Sequence, residues 1–327
     1  MNNKINIGII GGAGYTGGEL IRLLLLHPNA NIRFIHSNSN AGNPVYQVHQ
    51  DLIGSTDLKF SGEIDQDIDL LFLCLGHGES KKFLAQQHIN PSIKVIDLAN
   101  DFRLKKDATQ GDRNFVYGLP ELGKERIQHA HNIANPGCFA TAIQLGLLPI
   151  AQTGHLADVY TTGITGSTGA GQSLSATSHF SWRANNIQAY KTLTHQHIAE
   201  ILQSIQGLQG NDQPSVHFVP WRGDFTRGIF VSSTLSTSLS LKELNELYKN
   251  YYSDHPFTIL SETPISLKQV VNTNKCIIHI EKENDKVVIH SVIDNLLKGA
   301  SGQAVQNMNL MFGMEEINGL NLKASGF

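Results

Sequence analysis

The sequence predicts an α/β fold in which a Rossmann-type, doubly wound parallel sheet is joined to an α+β domain with a mostly antiparallel sheet. Up to about residue 150, short apolar runs alternate with helical patterns, which is typical of βαβ units. Beyond that point the chain is rich in Thr, Ser and β-branched residues, which favour antiparallel strands. The length of 327 residues suits two domains rather than one.

The first region contains four apolar runs and two helical patterns. Strands are predicted at 5–10, 31–37, 69–76 and 93–99. Helices are predicted from the glycines after the first strand to Pro28, and at 79–88. Because parallel strands covered on both faces are apolar throughout, these runs indicate a parallel sheet.

The second region contains two clear helical patterns among its strands. One is THQHIAEILQSIQG (194–207), with Thr194 as the predicted N-cap and Gly207 as the stop, and the other is 240–252. The run KCIIHIEKENDKVVIHSVID predicts two strands joined by a turn at Asn284-Asp285. These features predict an antiparallel sheet with helices on one face.

Composition excludes several classes of protein. A formal net charge of −3 provides no basic surface for nucleic acid. The longest leucine run ends at Pro28, far short of the ~20 apolar residues of a membrane span, and the polar opening residues indicate no signal peptide. The 3 cysteines, Cys74, Cys138 and Cys276, form no CxxC pair. We therefore expect a cytoplasmic protein without nucleic-acid or membrane partners.

Glycines crowd the junction of the first strand and helix with the spacing Gly11-x-x-Gly14-x-x-Gly17. Such a loop lets a pyrophosphate rest on the amides at the start of the helix, so a dinucleotide site is predicted. A glycine-rich turn without a ligand is the alternative. Residues 37–40 lack the carboxylate that usually binds the ribose of NAD, which favours NADP.

Cys138 follows Asn135-Pro136-Gly137 and begins a helical pattern, CFATAIQLGLLP. The start of a helix favours a thiolate, and its amides suit an oxyanion, so Cys138 is a candidate nucleophile. An inert, buried cysteine is the alternative, which suits Cys74 and Cys276 within their apolar runs.

The pattern His195-x-His197-x-x-Glu200 is predicted to lie on the first turn of the helix at 194–207. The positive end of a helix disfavours imidazolium, so a neutral histidine there suits acid/base chemistry. A metal site is an alternative, although residues two apart on a helix diverge and no further ligands accompany them. Solvated surface histidines are another alternative.

Several segments together resemble the N-acetyl-gamma-glutamyl-phosphate reductase family, within the semialdehyde dehydrogenase superfamily. They are GGAGYTGGEL, DLANDFRL, VYGLPEL, NPGCFATA, GITGSTGAG, THQHIAEI, RGIF and DNLLKGASGQAVQNMN, and the resemblance runs from about residue 7 to 312. It implies NADPH-dependent reduction of N-acetyl-L-glutamyl 5-phosphate to N-acetyl-L-glutamate 5-semialdehyde and phosphate, in arginine biosynthesis. Cys138 would form a thioester, and His195 would be the acid/base, with His197 and Glu200 as companions.

The resemblance also implies binding residues, domains and assembly. NADP(H) would bind Gly11, Gly14, Tyr15, Thr16, Gly17, Ser37, Gly76, Gly169, Gln303 and Asn307. The substrate, a small-molecule N-acyl-glutamyl phosphate, would bind Arg103 through its phosphate, and also Asn135, Arg183 and Arg227. Residues 1–137 and 302–327 would form the dinucleotide-binding domain and 138–301 a catalytic and dimerisation domain, in a homodimer or homotetramer without a metal.

Three positions depart from the common pattern of the family. Gln172 replaces an arginine for which Arg183 is a substitute, Asn38 replaces an arginine associated with NADP, and Arg222 is additional. An additional arginine suits a second substrate carboxylate, so an N-succinyl substrate is one alternative and aspartate-semialdehyde dehydrogenase is another. A nucleotide-sensing regulator without chemistry and a cysteine-histidine hydrolase remain as alternatives of other classes.

Overall fold

The computed structural model describes residues 4–154, 156–210 and 214–326, and the chain divides into two compact units. The first unit contains residues 4–136 and Ala300–Asn321, and the second contains Gly137–Gly299 and 322–326. Each unit is built on a seven-stranded sheet. In the described ranges, no helix combines the length and the apolar character needed to cross a bilayer.

The sheet of the first unit is parallel apart from one short edge strand. Its strands are β1 (Ile5–Ile10), β2 (Ala30–His36), β3 (Leu70–Leu73), β4 (Lys94–Asp97), β5 (Thr109–Gln110), β6 (Arg113–Tyr117) and β7 (Asn132–Ala134). Their order is β2-β1-β3-β4-β7-β6-β5, and only the β5–β6 pair is antiparallel. All four residues of β3 are buried, as expected for a strand with both faces covered. The predicted Rossmann-type sheet is confirmed.

Four helices belong to this unit: α1 (Tyr15–Leu25), α2 (Glu79–Gln86), α3 (Pro120–Gln128) and α8 (Gly302–Met311). The strand predicted at 69–76 is shorter than expected: β3 ends at Leu73, although the Cys74 amide still donates to Ile10 O of β1 at 2.8 Å. Helix α8 packs against α1 and α3, so the chain returns to the first unit after completing the second sheet.

The sheet of the second unit is mostly antiparallel, as predicted. Its strands are β8 (Val159–Thr165), β9 (Gln188–Ala189), β10 (Val216–Arg222), β11 (Ile229–Ser236), β12 (Thr258–Leu260), β13 (Cys276–Glu283) and β14 (Lys286–Ile293). Their order is β12-β13-β14-β11-β8-β10-β9, with β8–β10 and β12–β13 as the parallel pairs. The turn at Asn284-Asp285 is confirmed, with Asn284 in the left-handed region at φ 53°.

The helices of this unit are α4 (Cys138–Gln152), α5 (Phe180–Arg183), α6 (His197–Gln209) and α7 (Leu241–Tyr251). Helix α4 is nearly all apolar and packs on β11 and β14, where Ser291 Oγ donates to Ala142 O at 2.7 Å. Helix α7 begins with a capping box in which Ser240 and Glu243 each accept a backbone amide of the other. The predicted helices at 138–149 and 240–252 are therefore confirmed.

The predicted bounds of the histidine helix are wrong at both ends. Thr194 is not the N-cap, because the preceding loop is held by β10, where the Leu193 amide donates to Phe218 O at 2.9 Å. Helix α6 therefore starts only at His197. Gly207 lies inside the helix, which ends at Gln209 before Gly210 at φ 76°.

The last residues depart from the domain expected for 302–327. Residues 322–326 belong to the second unit, since the amides of Ser325 and Gly326 donate to Val271 O at 3.1 Å and Lys268 O at 3.2 Å. These hydrogen bonds add the tail to the loop before β13 rather than to α8.

Candidate active site

The glycine loop between β1 and α1 is packed so closely that a Cβ at Gly11, Gly12 or Gly17 would lie less than 3.0 Å from another atom. Gly11 has φ 77°, and a Cβ there would lie 2.5 Å from Cys74 O at the end of β3. A Cβ on Gly17 would lie 2.7 Å from Cα of Gly12, within the loop itself. The glycine spacing therefore lets the loop fold tightly over the edge of the sheet.

The start of α1 is open to an anion. Gly14 is its N-cap, no side chain among the described residues caps the helix, and the first turn has no acidic residue. A Cβ on Gly14 would meet only Gly11 O, at 3.9 Å. Helix α2 differs, because Asp101 accepts the amides of Gly78 at 2.6 Å, Ser80 at 2.9 Å and Lys81 at 3.1 Å. Of these two helix starts, α1 is the one that suits a phosphate.

The other residues expected to bind the cofactor in the first unit differ in exposure. Tyr15 is 39% exposed, whereas Ser37 is buried and accepts a hydrogen bond from Asn40 Nδ2 at 3.0 Å. Thr16 follows Tyr15 in α1, and its carbonyl oxygen accepts from Ser301 Oγ at 2.8 Å. Gly76 lies in the loop before α2, where a Cβ would meet only Glu79, at 3.9 Å.

Gln303 and Asn307 lie fully buried on α8. The Asn307 amide nitrogen donates to Gly118 O at 2.9 Å and to Asn135 Oδ1 at 3.0 Å. Its Oδ1 has no hydrogen-bond partner among the described residues. Asn307 therefore fixes Asn135 and keeps one buried acceptor available.

Arg103 is buried and bound to the backbone next to Asn135. Its Nε donates to Asn135 O at 2.8 Å and its Nη2 donates to Leu98 O at 2.9 Å. Nearby Asp97 is fully buried, and burial raises its pKa to about 7 although Ser80 Oγ donates to it. Arg103 thus stabilises the segment that leads to the predicted nucleophile.

Cys138 is the first residue of α4, as predicted, and it is half-buried. The amide of Gly137, the N-cap, donates to Glu200 Oε2 at 3.0 Å. Cys74 and Cys276 are buried, and burial raises the pKa of the Cys74 thiol to about 12. The expectation that these two are buried cysteines is confirmed, and Cys138 alone combines partial exposure with the start of a helix.

Cys138 is held from the other side by Gly299. This glycine lies in a π-helical turn, Leu297–Ser301, where a Cβ would be 2.8 Å from Cβ of Cys138. The turn is anchored on Asp294, whose carbonyl oxygen accepts the Gly299 amide at 2.9 Å. Only a residue without a side chain lets the turn approach so closely.

Arg227, expected to bind substrate, forms an ion pair with the same aspartate. Its Nη2 lies 3.0 Å from Oδ2 of Asp294, which is fully buried. Asp294 Oδ1 also accepts the amide of Leu296 at 2.8 Å. Arg227 therefore supports the turn that carries Gly299.

His195, His197 and Glu200 are brought together and buried. His197 is the first residue of α6, and its Nε2 lies 3.9 Å from Glu200 Oε1. The expectation that the two histidines diverge is wrong, because His195 precedes the helix and its ring centroid lies 4.5 Å from that of His197.

Burial keeps His195 neutral. Its ring lies among the rings of Phe139, Tyr190 and Phe218, with centroids 5.8, 5.8 and 5.5 Å away. Burial, together with the charge of Lys191, lowers its pKa to about 4. A neutral imidazole is what the sequence predicts, but its main cause is the apolar surroundings rather than the helix start.

Tyr190 and Arg222 lie beside these residues. Tyr190 was not assigned to the site from the sequence, whereas Arg222 was noted there as an additional arginine that suits a second substrate carboxylate. Burial raises the pKa of the Tyr190 phenol, and the charge of Cys138 raises it further. Arg222 lies over the Tyr190 ring, with Cζ 4.7 Å from its centroid. The sequence offered one signal for Tyr190, namely its position five residues before His195. Only the fold of the loop shows which way the Tyr190 side chain points.

Arg183 and Gly169 also belong to the second unit. Arg183 ends α5 and its Nη2 donates to Gly223 O at 2.8 Å. Gly169 lies in a short 3₁₀ turn, where a Cβ would be 3.2 Å from Thr165 Oγ1. Within 4–154, 156–210 and 214–326, no three His, Cys, Asp or Glu side chains form a group suited to a metal ion.

Two family descriptions match the chain. Semialdehyde dehydrogenase, NAD binding domain, matches residues 6–130, and semialdehyde dehydrogenase, dimerisation domain, matches residues 138–295. The N-acetyl-gamma-glutamyl-phosphate reductase of Parabacteroides distasonis is 55% identical over 99% of this chain and 100% of its own length. Proteins of the same name from Christiangramia forsetii and Bacteroides thetaiotaomicron are 53% and 54% identical with the same coverage.

Solved structures are similar in fold. The aspartate semialdehyde dehydrogenase II of Vibrio cholerae superposes with a TM-score of 0.74 at 16% identity, covering 95% of this chain and 99% of that one. The aspartate semialdehyde dehydrogenase with NADP from Candida albicans gives a TM-score of 0.69 at 13% identity, with the same coverage. At this identity the likeness concerns the fold alone.

The contact between Gly299 and Cys138 predicts the effect of one methyl group. Gly299→Ala is expected to lower the free energy of unfolding by about 1–3 kcal/mol, because its Cβ overpacks against α4. Gly207→Ala is the control: it adds the same group at an exposed position of α6, where no described atom outside the helix's own backbone lies within 4 Å. The control should gain about 0.5–1 kcal/mol in denaturant unfolding. Equal stability of both variants would contradict the close approach.

The buried state of His195 predicts a pH dependence of stability. The pKa of the imidazole is 6.5 in the unfolded chain and about 4 in the folded one. Because the unfolded chain binds the proton more tightly, the free energy of unfolding falls as the pH falls from 6.5 towards 4. Between pH 7 and pH 5 the wild type should lose up to about 2 kcal/mol more stability than His195→Asn. Parallel urea-unfolding curves for the two proteins at both pH values would contradict a neutral, buried His195.

Proposed function

The chain belongs to the N-acetyl-gamma-glutamyl-phosphate reductase family, and on this premise we propose that it reduces N-acetyl-L-glutamyl 5-phosphate with NADPH to N-acetyl-L-glutamate 5-semialdehyde and phosphate. This is a step of arginine biosynthesis. The observation that carries the proposal is the half-buried Cys138 at the start of α4, in the same unit as a buried, neutral histidine.

Cys138 is the nucleophile of this reaction. The amides at the start of α4 favour its thiolate. The sulfur bonds to the acyl carbon, the bond from that carbon to the phosphate oxygen breaks, and a thioester on Cys138 and free phosphate result. Amides of the same turn stabilise the oxyanion that develops on the carbonyl. His195, neutral near pH 7, accepts the thiol proton and gives a proton back to the Cys138 sulfur when the bond between that sulfur and the acyl carbon breaks and the aldehyde is released.

His197 and Glu200 act as positioning residues. Glu200 is fixed at the N-cap of α4 by the Gly137 amide and lies beside His197. His197 in turn contacts the ring of His195. The three side chains thus connect the start of α4 to the acid/base.

The residues of the first unit fit NADP(H), which supplies the hydride that converts the thioester to the aldehyde when it is bound. The uncapped start of α1, with Gly11, Gly14 and Gly17 in the loop before it, suits the pyrophosphate. The buried Asn307 Oδ1 is an acceptor for an amide of the cofactor. The absence of a carboxylate at residues 37–40 supports NADP over NAD.

We further infer that the first unit is the dinucleotide-binding domain and the second the catalytic and dimerisation domain of a homodimer or homotetramer. The half-exposed face of the second sheet, which includes Tyr160 at 62% exposure, supports an interface with another copy. A cysteine nucleophile that is in no disulfide suits the reducing cytoplasm. Arg222 is additional to the common family pattern and suits a second substrate carboxylate, so an N-succinyl substrate is the second candidate.

Steady-state rates in the oxidative direction test the activity and its specificity. N-acetyl-glutamate, N-succinyl-glutamate and aspartate semialdehydes are supplied in turn with phosphate and either NADP or NAD. The highest kcat/KM is expected for the N-acetyl compound with NADP. If N-succinyl-glutamate semialdehyde or aspartate semialdehyde is turned over faster, the proposed N-acetyl substrate is wrong. If NAD is preferred to NADP, the cofactor assignment is wrong.

The covalent step predicts the behaviour of a cysteine variant. Cys138→Ala should lower kcat by about a thousand-fold or more, because no thioester forms, while the dissociation constant of NADPH measured by fluorescence stays unchanged. Cys276→Ala, a change in the core of the second sheet, is the control and should retain activity. Retained turnover in Cys138→Ala would remove the sulfur from the mechanism.

A further inference from the structure

A buried histidine, remote in sequence from the candidate catalytic residues, lies against the glycine loop of the first unit. His49 belongs to the segment between β2 and β3 and is only 7% exposed. Its amide donates to Val45 O and its carbonyl oxygen accepts the Leu52 amide, each at 3.0 Å. The ring of Phe60 lies beside it, with the two ring centroids 6.3 Å apart. The position of the imidazole is therefore set by its own segment.

The imidazole of His49 reaches the glycine loop because one position of α1 has no side chain. A Cβ on Gly18 would lie 2.5 Å from Nδ1 of His49 and 2.6 Å from its Cε1. On the opposite edge of the ring, Nε2 lies 2.7 Å from the oxygen of Gly12, a buried residue of the loop. Because a carbonyl oxygen can only accept, Nε2 carries a proton and donates it.

This hydrogen bond fixes the direction of the next amide in the loop. The peptide between Gly12 and Ala13 is trans, so its carbonyl oxygen and its N–H point in opposite directions. Since Gly12 O is directed at His49, the Ala13 N–H points away from the imidazole. Within the described ranges the Ala13 amide donates to no acceptor, and Ala13 directly precedes Gly14, the N-cap of α1. It therefore adds one unused donor to those that suit an anion at the start of this helix.

Packing alone does not determine this orientation. A Cβ on Gly12 would lie 2.2 Å from Cγ2 of Ile35 on β2, and a Cβ on Gly17 would lie 2.7 Å from Cα of Gly12. These contacts hold the loop close to the sheet and the helix. They leave the rotation of the peptide plane after Gly12 open, because glycine accepts a wide range of backbone angles. The hydrogen bond from His49 selects one of these rotations.

We propose that His49 is a positioning residue of the cofactor site, which directs the Ala13 amide towards the pyrophosphate of the dinucleotide. This inference rests on the proposed function, because it takes the glycine loop as part of the NADP(H) site. His49 acts only through Gly12 and does not touch the cofactor. A loop whose amide is already directed loses less conformational freedom when the anion binds, so the hydrogen bond contributes to affinity.

Binding of NADPH in the absence of substrate tests this role. His49→Leu and His49→Asn place no donor at the position of Nε2. Each should raise the dissociation constant of NADPH about 3- to 10-fold, the loss expected for a neutral hydrogen bond. His49→Gln should stay within about twofold of the wild type, because its amide nitrogen lies as far along the side chain as Nε2 does. The fluorescence of bound NADPH measures all four proteins.

His27→Leu is the matched control variant. His27 is a histidine of the same unit that is 4% exposed, and its Nε2 lies 2.9 Å from Asn309 Oδ1. It follows the C-terminal end of α1, whereas His49 contacts the loop before the start of that helix. His27→Leu should lower thermal stability but change the dissociation constant of NADPH less than about twofold.

Adenosine 2′-monophosphate is the matched control ligand, because it has the adenosine end of NADPH but no pyrophosphate. Its affinity, measured by NMR titration, should be the same for the wild type and His49→Leu. A loss of affinity that is confined to NADPH and repaired by His49→Gln supports the positioning role. A merely structural role would weaken both ligands together.

Three results would overturn the proposal. One is equal NADPH affinity of the wild type, His49→Leu and His49→Asn. Another is a loss that His49→Gln does not repair, because the donor at Nε2 is then not its cause. The third is an equal loss in His27→Leu or for adenosine 2′-monophosphate, which indicates general damage to the unit.

The binding measurements also separate this inference from the proposed function, because they need no turnover. If the wild type oxidises the semialdehyde while all His49 variants bind NADPH alike, only the role of His49 is wrong. If the wild type binds NADH rather than NADPH, the same comparison is made with NADH and adenosine. If it binds neither dinucleotide, the proposed function and this inference are both wrong.

Discussion

The approach of Gly299 to Cys138 is the constraint on which the second unit depends. The π-helical turn reaches the start of α4 because position 299 has no side chain, and the turn itself is held by Asp294. Asp294 is buried and compensated by Arg227 and by backbone amides. A charged residue buried with these partners is tolerated, since each oxygen is satisfied. The position of the sulfur therefore depends on residues more than 80 positions away along the chain.

Burial and hydrogen bonding determine which side chains near the Cys138 sulfur are neutral and which are charged. His195 is surrounded by aromatic rings and is neutral, whereas the carboxylate of Glu200 accepts the amide of Gly137. In the proposed mechanism, a neutral base and a helix start favour proton transfer from the thiol. The electrostatics thus follow from the packing of α4 against the loop before α6.

Local patterns were sufficient to predict most of the fold. Apolar runs located β1, β2 and β4, and the turn at Asn284-Asp285 located the hairpin, because each signal is contained in a few neighbouring residues. The start of α6 could not be predicted in this way, since the loop before it is held by Phe218 of a different strand. The same applies to the site: Cys138 was marked by its own turn, but Tyr190 and Gly299 are placed by tertiary contacts.

A polar group with a structural role is paired with another group of the protein, whereas a polar group that binds a ligand is placed to accept a partner from outside. Asp101 occupies the start of α2, whereas no side chain caps α1. Arg227 is likewise compensated by Asp294, whereas in the described ranges Arg222 donates to the Thr177 hydroxyl and stacks on the Tyr190 ring. Folding alone does not favour a helix start whose amides have no capping side chain. The phosphates of the proposed cofactor would supply the missing partner at the start of α1.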